Sequence, residues 1–307
     1  MKNVVLFGAS GFIGSEINKI LVNSKLNVIS VVNDNKKKFP KKFFKIKKKV
    51  NILKKIKIKA KNIDTVVHAA TPNDILSKDF QQGMDLSLLG TKNILEFCVK
   101  NKVKNLIFFS TFQVYGTNLV GNIKEESKIV LNNFYALNHY FGEEICKYYS
   151  NIYKINLTVI RPSNVYGVPL LKSISRDTLV PLCFAKDLKR YQKIKLLSSG
   201  KQTRNFVSNS MIAKICKKLI QKFPSGYTIL NISSNLNLSM QEIAKKMVDI
   251  ANLKSKNQKF NLEIQSEYPQ KKNSFKTIKS KLVKDIIPSK QKEKDNFFKV
   301  LNTIIEL

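Results

Sequence analysis

Residues 3–14 read NVVLFGASGFIG, and three glycines recur in this segment at three-residue intervals, Gly8, Gly11 and Gly14. An apolar run precedes the first glycine, and apolar residues at helical spacing follow the last one, so we expect a strand, a tight turn and a helix. In such a turn the first glycine permits the bend, the second lets the backbone approach a pyrophosphate, and the third lets the helix pack on the strand. The helix amides would face the phosphates, which predicts dinucleotide binding over a turn that only caps a helix. The expected cofactor contacts here are Gly8, Ser10, Gly11, Phe12, Ile13 and Gly14.

Strand-like and helix-like stretches alternate beyond this turn. Apolar runs at 27–32, 63–70 and 104–110 predict strands, and helical periodicity at 85–100 and 133–151 predicts helices. The alternation predicts an α/β fold with a Rossmann-type, doubly wound parallel sheet that helices cover on both faces.

The alternation becomes less regular in the later half. There LTVIRPSNVYG at 157–167 predicts a strand that runs into a loop, Ser239 and Glu242 predict a capping box, and a last helix is expected at 295–306. We therefore expect an NAD(P)-binding Rossmann domain over residues 1–165. A smaller C-terminal α/β lobe over residues 166–307 would bind the substrate, with segments near 200–235 returning to the Rossmann sheet.

The composition predicts a soluble globular protein of the cytoplasm. The chain has 307 residues, 43% of them hydrophobic, which is enough for a sizeable core. The apolar start VVLFG is too short for a signal peptide, and no run approaches the roughly 20 apolar residues of a membrane helix. Cys98, Cys146, Cys183 and Cys216 are widely spaced without a Cys/His cluster, so we expect buried free thiols and no metal site.

The formal net charge of +34 would ordinarily point to a polyanion. Only four of the 55 basic residues are arginine, however, and the lysines are spread along the whole chain. Since phosphate and base recognition favours arginine forks, we expect a solvated lysine surface and no specific nucleic-acid or membrane partner. A charge-driven binder of nucleic acid or membrane is the alternative.

Further motifs follow the glycine-rich turn in a fixed order. They are DTVVHAA at 64–70, Gly90-Thr91, FFSTFQVYG at 108–116, YALNH at 135–139, RPSNVYG at 161–167 and GKQTRNF at 200–206. Together with GxxGxxG this series, which covers most of residues 1–235, resembles the sugar-nucleotide branch of the extended short-chain dehydrogenase/reductase family. The resemblance implies NAD or NADP as cofactor, a nucleotide-diphosphate sugar as substrate, and pairing as a homodimer.

The family works with a Ser/Thr, a Tyr and a Lys. By position the resemblance makes Thr111 the hydroxyl that bonds the sugar oxygen and Tyr135 the acid/base, and it puts His139 where the family has its lysine. Tyr135 and His139 stand at i and i+4 and are expected on one face of a helix. A neutral imidazole lowers the pKa of a neighbouring Tyr much less than a lysine cation does. Either His139 is protonated, or the pH optimum differs, or the redox chemistry is weak.

The remaining site residues also come from the resemblance. Ala69 and Ala70 would let the cofactor lie across the sheet, with His68 packed or adjacent to the cofactor. Ser163 would lie near the nicotinamide. Asn164 and Arg204 would contact the substrate diphosphate, and Asn205 replaces the usual Asp.

The choice of cofactor depends on the end of the second strand. An acidic residue there accepts the ribose 2′-hydroxyl of NAD, and a basic neighbourhood suits the 2′-phosphate of NADP. The strand ends at Val32 and Asn33, Asp34 comes later than expected, and Lys36 to Lys38 follow. Asn51 replaces the adenine-contacting Asp of the family. These changes favour NADP slightly.

Phe112 and Gln113 occupy the place where related 4,6-dehydratases carry an acidic pair. Elimination of water needs an acid and a base beyond the Tyr, so we do not expect a dehydratase. A 4-epimerase is the leading interpretation. An NADP-dependent keto-sugar nucleotide reductase comes second, and a regulatory protein that binds NADP(H) without turnover remains a third.

Overall fold

A computed structural model describes residues 1–33, 39–40, 43–170, 174, 176–265, 275–278 and 280–306. The chain forms two compact units. Unit 1 comprises Met1–Thr117, Glu125–Pro162 and Asn209–Ile232, and unit 2 comprises Asn118–Lys124, Ser163–Ser208 and Ser233–Leu307. The assignment of residues 1–165 to the cofactor and of residues 166–307 to the substrate stays a prediction.

The strands of the described residues, in chain order, are β1 Asn3–Phe7, β2 Asn27–Val32, β3 Ile46–Lys49, β4 Ile63–His68, β5 Asn105–Phe109, β6 Gly121–Ile123, β7 Asn156–Pro162, β8 Asn164–Tyr166, β9 Lys193–Leu196, β10 Thr203–Ser208, β11 Tyr227–Ile232, β12 Asn237–Ser239, β13 Asn261–Ile264 and β14 Phe275–Thr277. The α-helices are α1 Phe12–Val22, α2 Phe80–Met84, α3 Thr91–Lys100, α4 Phe134–Tyr153, α5 Val180–Tyr191, α6 Asn209–Gln221, α7 Met240–Lys254 and α8 Lys290–Ile305. A π-helical segment, Asp85–Gly90, joins α2 to α3.

Unit 1 contains a seven-stranded sheet among the described residues. Its order is β11-β7-β5-β4-β1-β2-β3, and every neighbouring pair is parallel. The Rossmann-type, doubly wound parallel sheet expected from the sequence is therefore confirmed. The strand order reverses between β1 and β4, and in such sheets ligands bind outside the carboxyl ends of the strands at that reversal.

Several sequence expectations agree with the observed bounds, and others need correction. The strand expected at 27–32 is β2, and both halves of the predicted capping box are present at Ser239 and Glu242. Of the strand and loop expected over 157–167, the strand is β7, but the loop contains a second strand, β8, which pairs with β10 after the chain leaves the large sheet at Pro162. The last helix begins at Lys290, earlier than expected, since the Ser289 hydroxyl accepts the Lys292 N–H and caps it.

Each unit has its own apolar core. In unit 1 the β1 side chains from Val4 to Phe7 are almost fully buried, and Phe7 packs edge to face on Phe97 of α3 with ring centroids 5.8 Å apart. In unit 2 Tyr166 packs on Phe297 of α8 at 4.6 Å, and Phe206 packs on the same ring at 5.4 Å. These rings fix β8, β10 and α8 against one another.

A buried ion pair connects α4 to the sheet of unit 1. Arg161 on β7 donates from Nε to Glu143 Oε1 at 2.9 Å and from Nη2 to Oε2, and the two side chains are 3% and 0% exposed. Arg161 also donates to the Tyr115 hydroxyl at 2.7 Å, and the Ser110 hydroxyl donates to Glu143. Two charges held in this way offset the cost of their burial only while both are present.

The four cysteines are free thiols, and Cys98, Cys146 and Cys216 are buried, whereas Cys183 is partly exposed. Burial raises the pKa of Cys98 and Cys216, as expected for structural thiols. In the part of the chain that the structure describes, no helix is both long and apolar enough to cross a bilayer.

Replacing Glu143 with Gln should destabilise unit 1 by about 3 kcal/mol, because the buried Arg161 cation would lose its counter-charge. The chain has no tryptophan, so the urea midpoint is best followed by far-ultraviolet circular dichroism. Glu96→Gln is the matched control, since Glu96 pairs with Lys92 at 2.9 Å with both side chains about half exposed. Equal midpoints for the two variants would contradict the role given to the buried pair.

Candidate active site

The glycine-rich turn after β1 is closed by contacts that exclude side chains. Gly8 has φ +84°, and a Cβ there would lie 2.4 Å from the Ala69 carbonyl oxygen. A Cβ on Gly14 would lie 2.0 Å from the Gly8 carbonyl oxygen, and one on Gly11 would lie 3.3 Å from it. The backbone of Gly8 is therefore close both to Gly14 of α1 and to Ala69 after β4, at the reversal of strand order.

The N-terminus of α1 presents backbone donors at this turn. Gly11 is the N-cap and has no side chain, and the first turn of the helix carries no acidic residue. Ser10, Gly11 and Ile13 are partly exposed, while Phe12 is buried. The first amides of a helix have no partner within it and lie at the positive end of its dipole, so this end suits an anionic group. The residues present thus fit the pyrophosphate of a dinucleotide.

Two residues predicted to select the cofactor lie at the surface of unit 1. Asn33 directly follows β2 and is exposed, whereas Asp34 and Lys36 to Lys38 lie outside the described residues. Asn51 is also exposed, and its Oδ1 accepts the Leu53 N–H at 2.9 Å. The preference for NADP over NAD stays a prediction.

His68 at the end of β4 is a neutral, packed histidine. It is fully buried, its Nδ1 accepts the Ala70 N–H at 3.3 Å, and its Nε2 lies 3.1 Å from the Thr91 hydroxyl. Burial, and next to it the charge of nearby His139, lower its pKa to about 3. Ala69 donates its N–H to the Phe7 carbonyl at 3.0 Å, so the small residues after β4 lie directly against β1.

Thr111 lies just after β5 and begins a single 3-10 turn over Phe112–Tyr115. Its Oγ1 accepts the Gln113 N–H at 3.3 Å, which leaves the hydroxyl hydrogen as a donor. Phe112 is buried against Tyr115 with ring centroids 5.0 Å apart. The Gln113 side chain accepts from Asn133 at 3.2 Å. An apolar ring and an amide thus fill the two positions where an acidic pair would be needed for elimination.

Tyr135 and His139 are brought together by the start of α4. Asn133 caps the helix by accepting the Ala136 N–H at 2.8 Å, so Tyr135 falls in the first turn. The two rings pack edge to face with centroids 4.6 Å apart and planes at 70°. The expectation that they share one helix face is confirmed. Tyr135 is partly exposed, and His139 is only 3% exposed.

His139 makes a contact that the sequence did not predict. Its Nε2 lies 3.1 Å from the carbonyl oxygen of Pro72, in the segment that follows β4. A carbonyl only accepts hydrogen bonds, so Nε2 carries the proton and donates it. No sequence signal identifies Pro72 as a partner, because the group involved is a backbone carbonyl 67 residues away.

In unit 2 Asn205 connects Ser163, which was predicted near the nicotinamide, with Asn164, which was predicted at the substrate diphosphate. Its Oδ1 accepts from the Ser163 hydroxyl at 2.8 Å, and its backbone carbonyl accepts from Asn164 Nδ2 at 3.0 Å. Its Nδ2 donates to the Ser234 carbonyl at 3.0 Å and to Asn237 Oδ1 at 2.8 Å. An aspartate could not make these two donations, which accounts for an amide at this position.

Arg204 is the next residue of β10 toward its start, and it is exposed. Although much of the side chain contacts solvent, the protein around its guanidinium desolvates it partly and lowers its pKa. Among the described residues no carboxylate contributes to this shift. Arg204 is therefore a cation without an acidic partner in the described part of the chain.

Comparison with known proteins gives relatives along most of the chain. A Dictyostelium discoideum protein named dTDP-D-glucose 4,6-dehydratase is 26% identical over 278 residues, which cover 82% of this chain and 62% of that relative. The chain thus spans under two thirds of that relative's length. A putative UDP-glucose 4-epimerase of Methanocaldococcus jannaschii is 29% identical over 251 residues, or 78% of this chain and 79% of the relative.

Among solved structures, the UDP-N-acetylglucosamine 4-epimerase of Methanobrevibacter ruminantium, solved in complex with UDP-N-acetylmuramic acid, superposes with a TM-score of 0.79. It is 21% identical, and the match covers 99% of this chain and 97% of that one, which shows a shared fold. The sequence pattern of the NAD dependent epimerase/dehydratase family matches residues 4–233, three quarters of the chain. The chain belongs to the NAD-dependent epimerase/dehydratase family.

Proposed function

We propose that the chain is an NAD(P)-dependent 4-epimerase that acts on a nucleotide-diphosphate sugar through a transient keto-sugar. The observation that carries this proposal is the edge-to-face pair of Tyr135 and His139 on α4, in the same unit as Thr111 and the glycine turn. A phenol and a hydroxyl on the scaffold that binds a dinucleotide are the groups that oxidation of a secondary alcohol needs.

In this proposal Tyr135 moves the proton at the reacting sugar oxygen. Thr111 donates its hydroxyl hydrogen to the same oxygen, while the Gln113 N–H bond fixes the orientation of the Thr111 side chain. Bound NAD or NADP would accept the hydride from the sugar carbon and return it. The Ala69 and Gly8 backbones, in contact with each other, would form the floor on which the dinucleotide lies.

The choice of epimerase over dehydratase rests on two side chains. Phe112 and Gln113 have no carboxyl group that could serve the elimination of water. The Phe112 ring packs on Tyr115, and the Gln113 side chain is bonded to Asn133. A keto-sugar nucleotide reductase needs the same Tyr135 and Thr111 and is the second candidate. The reductase would be favoured if the cofactor were NADP. The uncharged Asn33 and Asn51 support NADP as the cofactor.

Arg204 is the proposed ligand of the substrate diphosphate in unit 2. Its guanidinium remains charged, is exposed, and has no acidic partner among the described residues. A planar fork of N–H donors suits phosphate oxygens. Asn164 and Ser163 belong to the same proposal, the first toward the diphosphate and the second toward the nicotinamide.

A second copy of the chain is the proposed protein partner. Phe80 and Phe134 pack edge to face with centroids 5.5 Å apart, although each is about half exposed, and Leu89 is exposed on the adjoining helical segment. Apolar groups of this size on the surface are typical of interfaces. The molar mass in solution, from light scattering, distinguishes one 35.1 kDa chain from two.

The cytoplasm is the proposed compartment, because free thiols are typical of reducing surroundings.

The first test identifies the cofactor and the reaction. The purified protein is denatured, any released dinucleotide is identified, and fresh protein is then incubated with UDP- and dTDP-sugars or their keto forms. Retained dinucleotide and interconversion of C4 epimers without net consumption support the epimerase, whereas oxidation of added NADPH by a keto-sugar supports the reductase. Dinucleotide binding without any redox change would overturn both in favour of a regulatory protein.

Replacing Tyr135 with Phe should abolish turnover, since the ring stays against His139 but the transferred proton is lost. The dissociation constant for the dinucleotide should remain close to that of the original protein. Tyr149→Phe, which removes a phenol farther along the same helix, serves as the control. An unchanged turnover number in Tyr135→Phe would remove Tyr135 from the mechanism.

Replacing Arg204 with Gln should raise KM for the nucleotide sugar by roughly tenfold or more, the effect of losing one charge-assisted hydrogen bond. The affinity for the dinucleotide should not change. Arg190→Gln is the matched control, because Arg190 lies over the Tyr191 ring on α5. If both variants leave KM unchanged, Arg204 does not bind the diphosphate.

A further inference from the structure

The Nε2 atom of His139 forms a hydrogen bond within the protein. In the family motif this position holds a lysine that binds the cofactor ribose, a task that needs a donor directed at the ligand. Here Nε2, the nitrogen farthest from the backbone, donates to the Pro72 carbonyl at 3.1 Å, and the residue is only 3% exposed. The side chain therefore makes a bond within unit 1 where the family has a ligand contact.

The segment that contains Pro72 forms one wall of the dinucleotide turn. At its start, Ala69 donates its N–H to Phe7 and lies in van der Waals range of Gly8. At its end, Asn73 Oδ1 accepts the Ile75 and Leu76 N–H groups at 2.9 Å and 2.8 Å and turns the chain. Between these two anchors, His139 Nε2 bonds the Pro72 carbonyl oxygen.

The electrostatic surroundings suit a neutral donor. His68 lies close enough to His139 that their charges interact, and burial with that interaction keeps His68 neutral. A protonated His139, which is only 3% exposed, would place a charge in the interior of unit 1, and burying a charge is costly. The uncharged ring of Tyr135 also packs against His139. A neutral imidazole with its proton on Nε2 makes the Pro72 bond without introducing a buried charge.

We propose that His139 is a positioning residue, which holds residues 69–73 and the Tyr135 helix in register through the Pro72 carbonyl and does not bind the ribose as a cation. The proposal rests on the proposed function for its effect on turnover. Its effect on the segment after β4 is independent of any reaction. In the family motif the lysine connects this helix to the cofactor by direct contact. In this chain His139 would connect α4 to the cofactor indirectly, through the backbone of residues 69–73.

Three variants separate this role from that of the family lysine. His139→Gln keeps an N–H donor at a reach similar to Nε2, His139→Phe keeps a ring against Tyr135 without the donor, and His139→Lys restores the family cation. We expect Gln to retain the dinucleotide dissociation constant and kcat within roughly threefold. Phe should weaken binding and lower kcat by roughly tenfold or more, since the buried carbonyl loses its partner. The His139→Lys variant should show the same weakened dinucleotide binding and lowered kcat as His139→Phe.

Amide hydrogen exchange of residues 69–78, measured on the protein without substrate, gives a readout that needs no turnover. Exchange should accelerate in His139→Phe and stay slow in His139→Gln. Ser150→Ala is the control. Ser150 lies near the other end of α4 from Tyr135, and its hydroxyl donates to the Ile155 carbonyl at 2.7 Å, so this variant also removes a side-chain bond to a carbonyl. Its exchange should change only near the end of α4.

The outcomes distinguish the two proposals. If His139→Lys exceeds the original activity while Gln is as weak as Phe, the positioning role is overturned and His139 acts as the family lysine. Equal exchange of residues 69–78 in the Phe and Gln variants also overturns it. If the original protein turns over no sugar nucleotide but exchange and dinucleotide affinity follow the expected order, the positioning role stands and the proposed reaction fails.

Discussion

The contact between the Gly14 backbone and the Gly8 carbonyl is the constraint on which the dinucleotide turn depends. A Cβ on Gly14 would lie 2.0 Å from that carbonyl, and one on Gly8 would meet the Ala69 carbonyl at 2.4 Å. Because no side chain separates these backbones, β1, α1 and the end of β4 meet at one point. That point is also where the strand order reverses, so sheet topology and helix amides favour an anionic ligand at the same place.

Buried polar groups connect this turn to the proposed reacting groups. Glu143 holds α4 to β7 through Arg161 and to the end of β5 through Ser110, the residue before Thr111. One helical turn earlier, His139 binds the segment after β4 through Pro72. The face of α4 that carries Tyr135 is thus fixed by two contacts with different strand ends. Each contact would leave a buried polar group unsatisfied if broken, which makes the arrangement specific as well as stable.

The fold was predictable to the extent that local patterns encode it. The apolar runs of β1, β2, β4 and β5 are buried on both faces, so they appear in the sequence as short continuous stretches between helices. The short strands β6, β10, β12 and β14 were not predicted. They have three to six residues and pair with partners far along the chain, so periodicity gives no signal for them.

By itself the sequence determined the parallel sheet, the glycine turn, the capping box at Ser239 and the placement of Tyr135 and His139 on one helix face. These features depend on spacing within a few residues, where backbone geometry leaves few choices. Only the tertiary structure decided that His139 donates to Pro72, that His68 is neutral, and that Asn205 connects Ser163 and Asn164. Those outcomes depend on burial and on backbone carbonyls brought together from distant segments, and neither is written in the identity of a residue or of its neighbours.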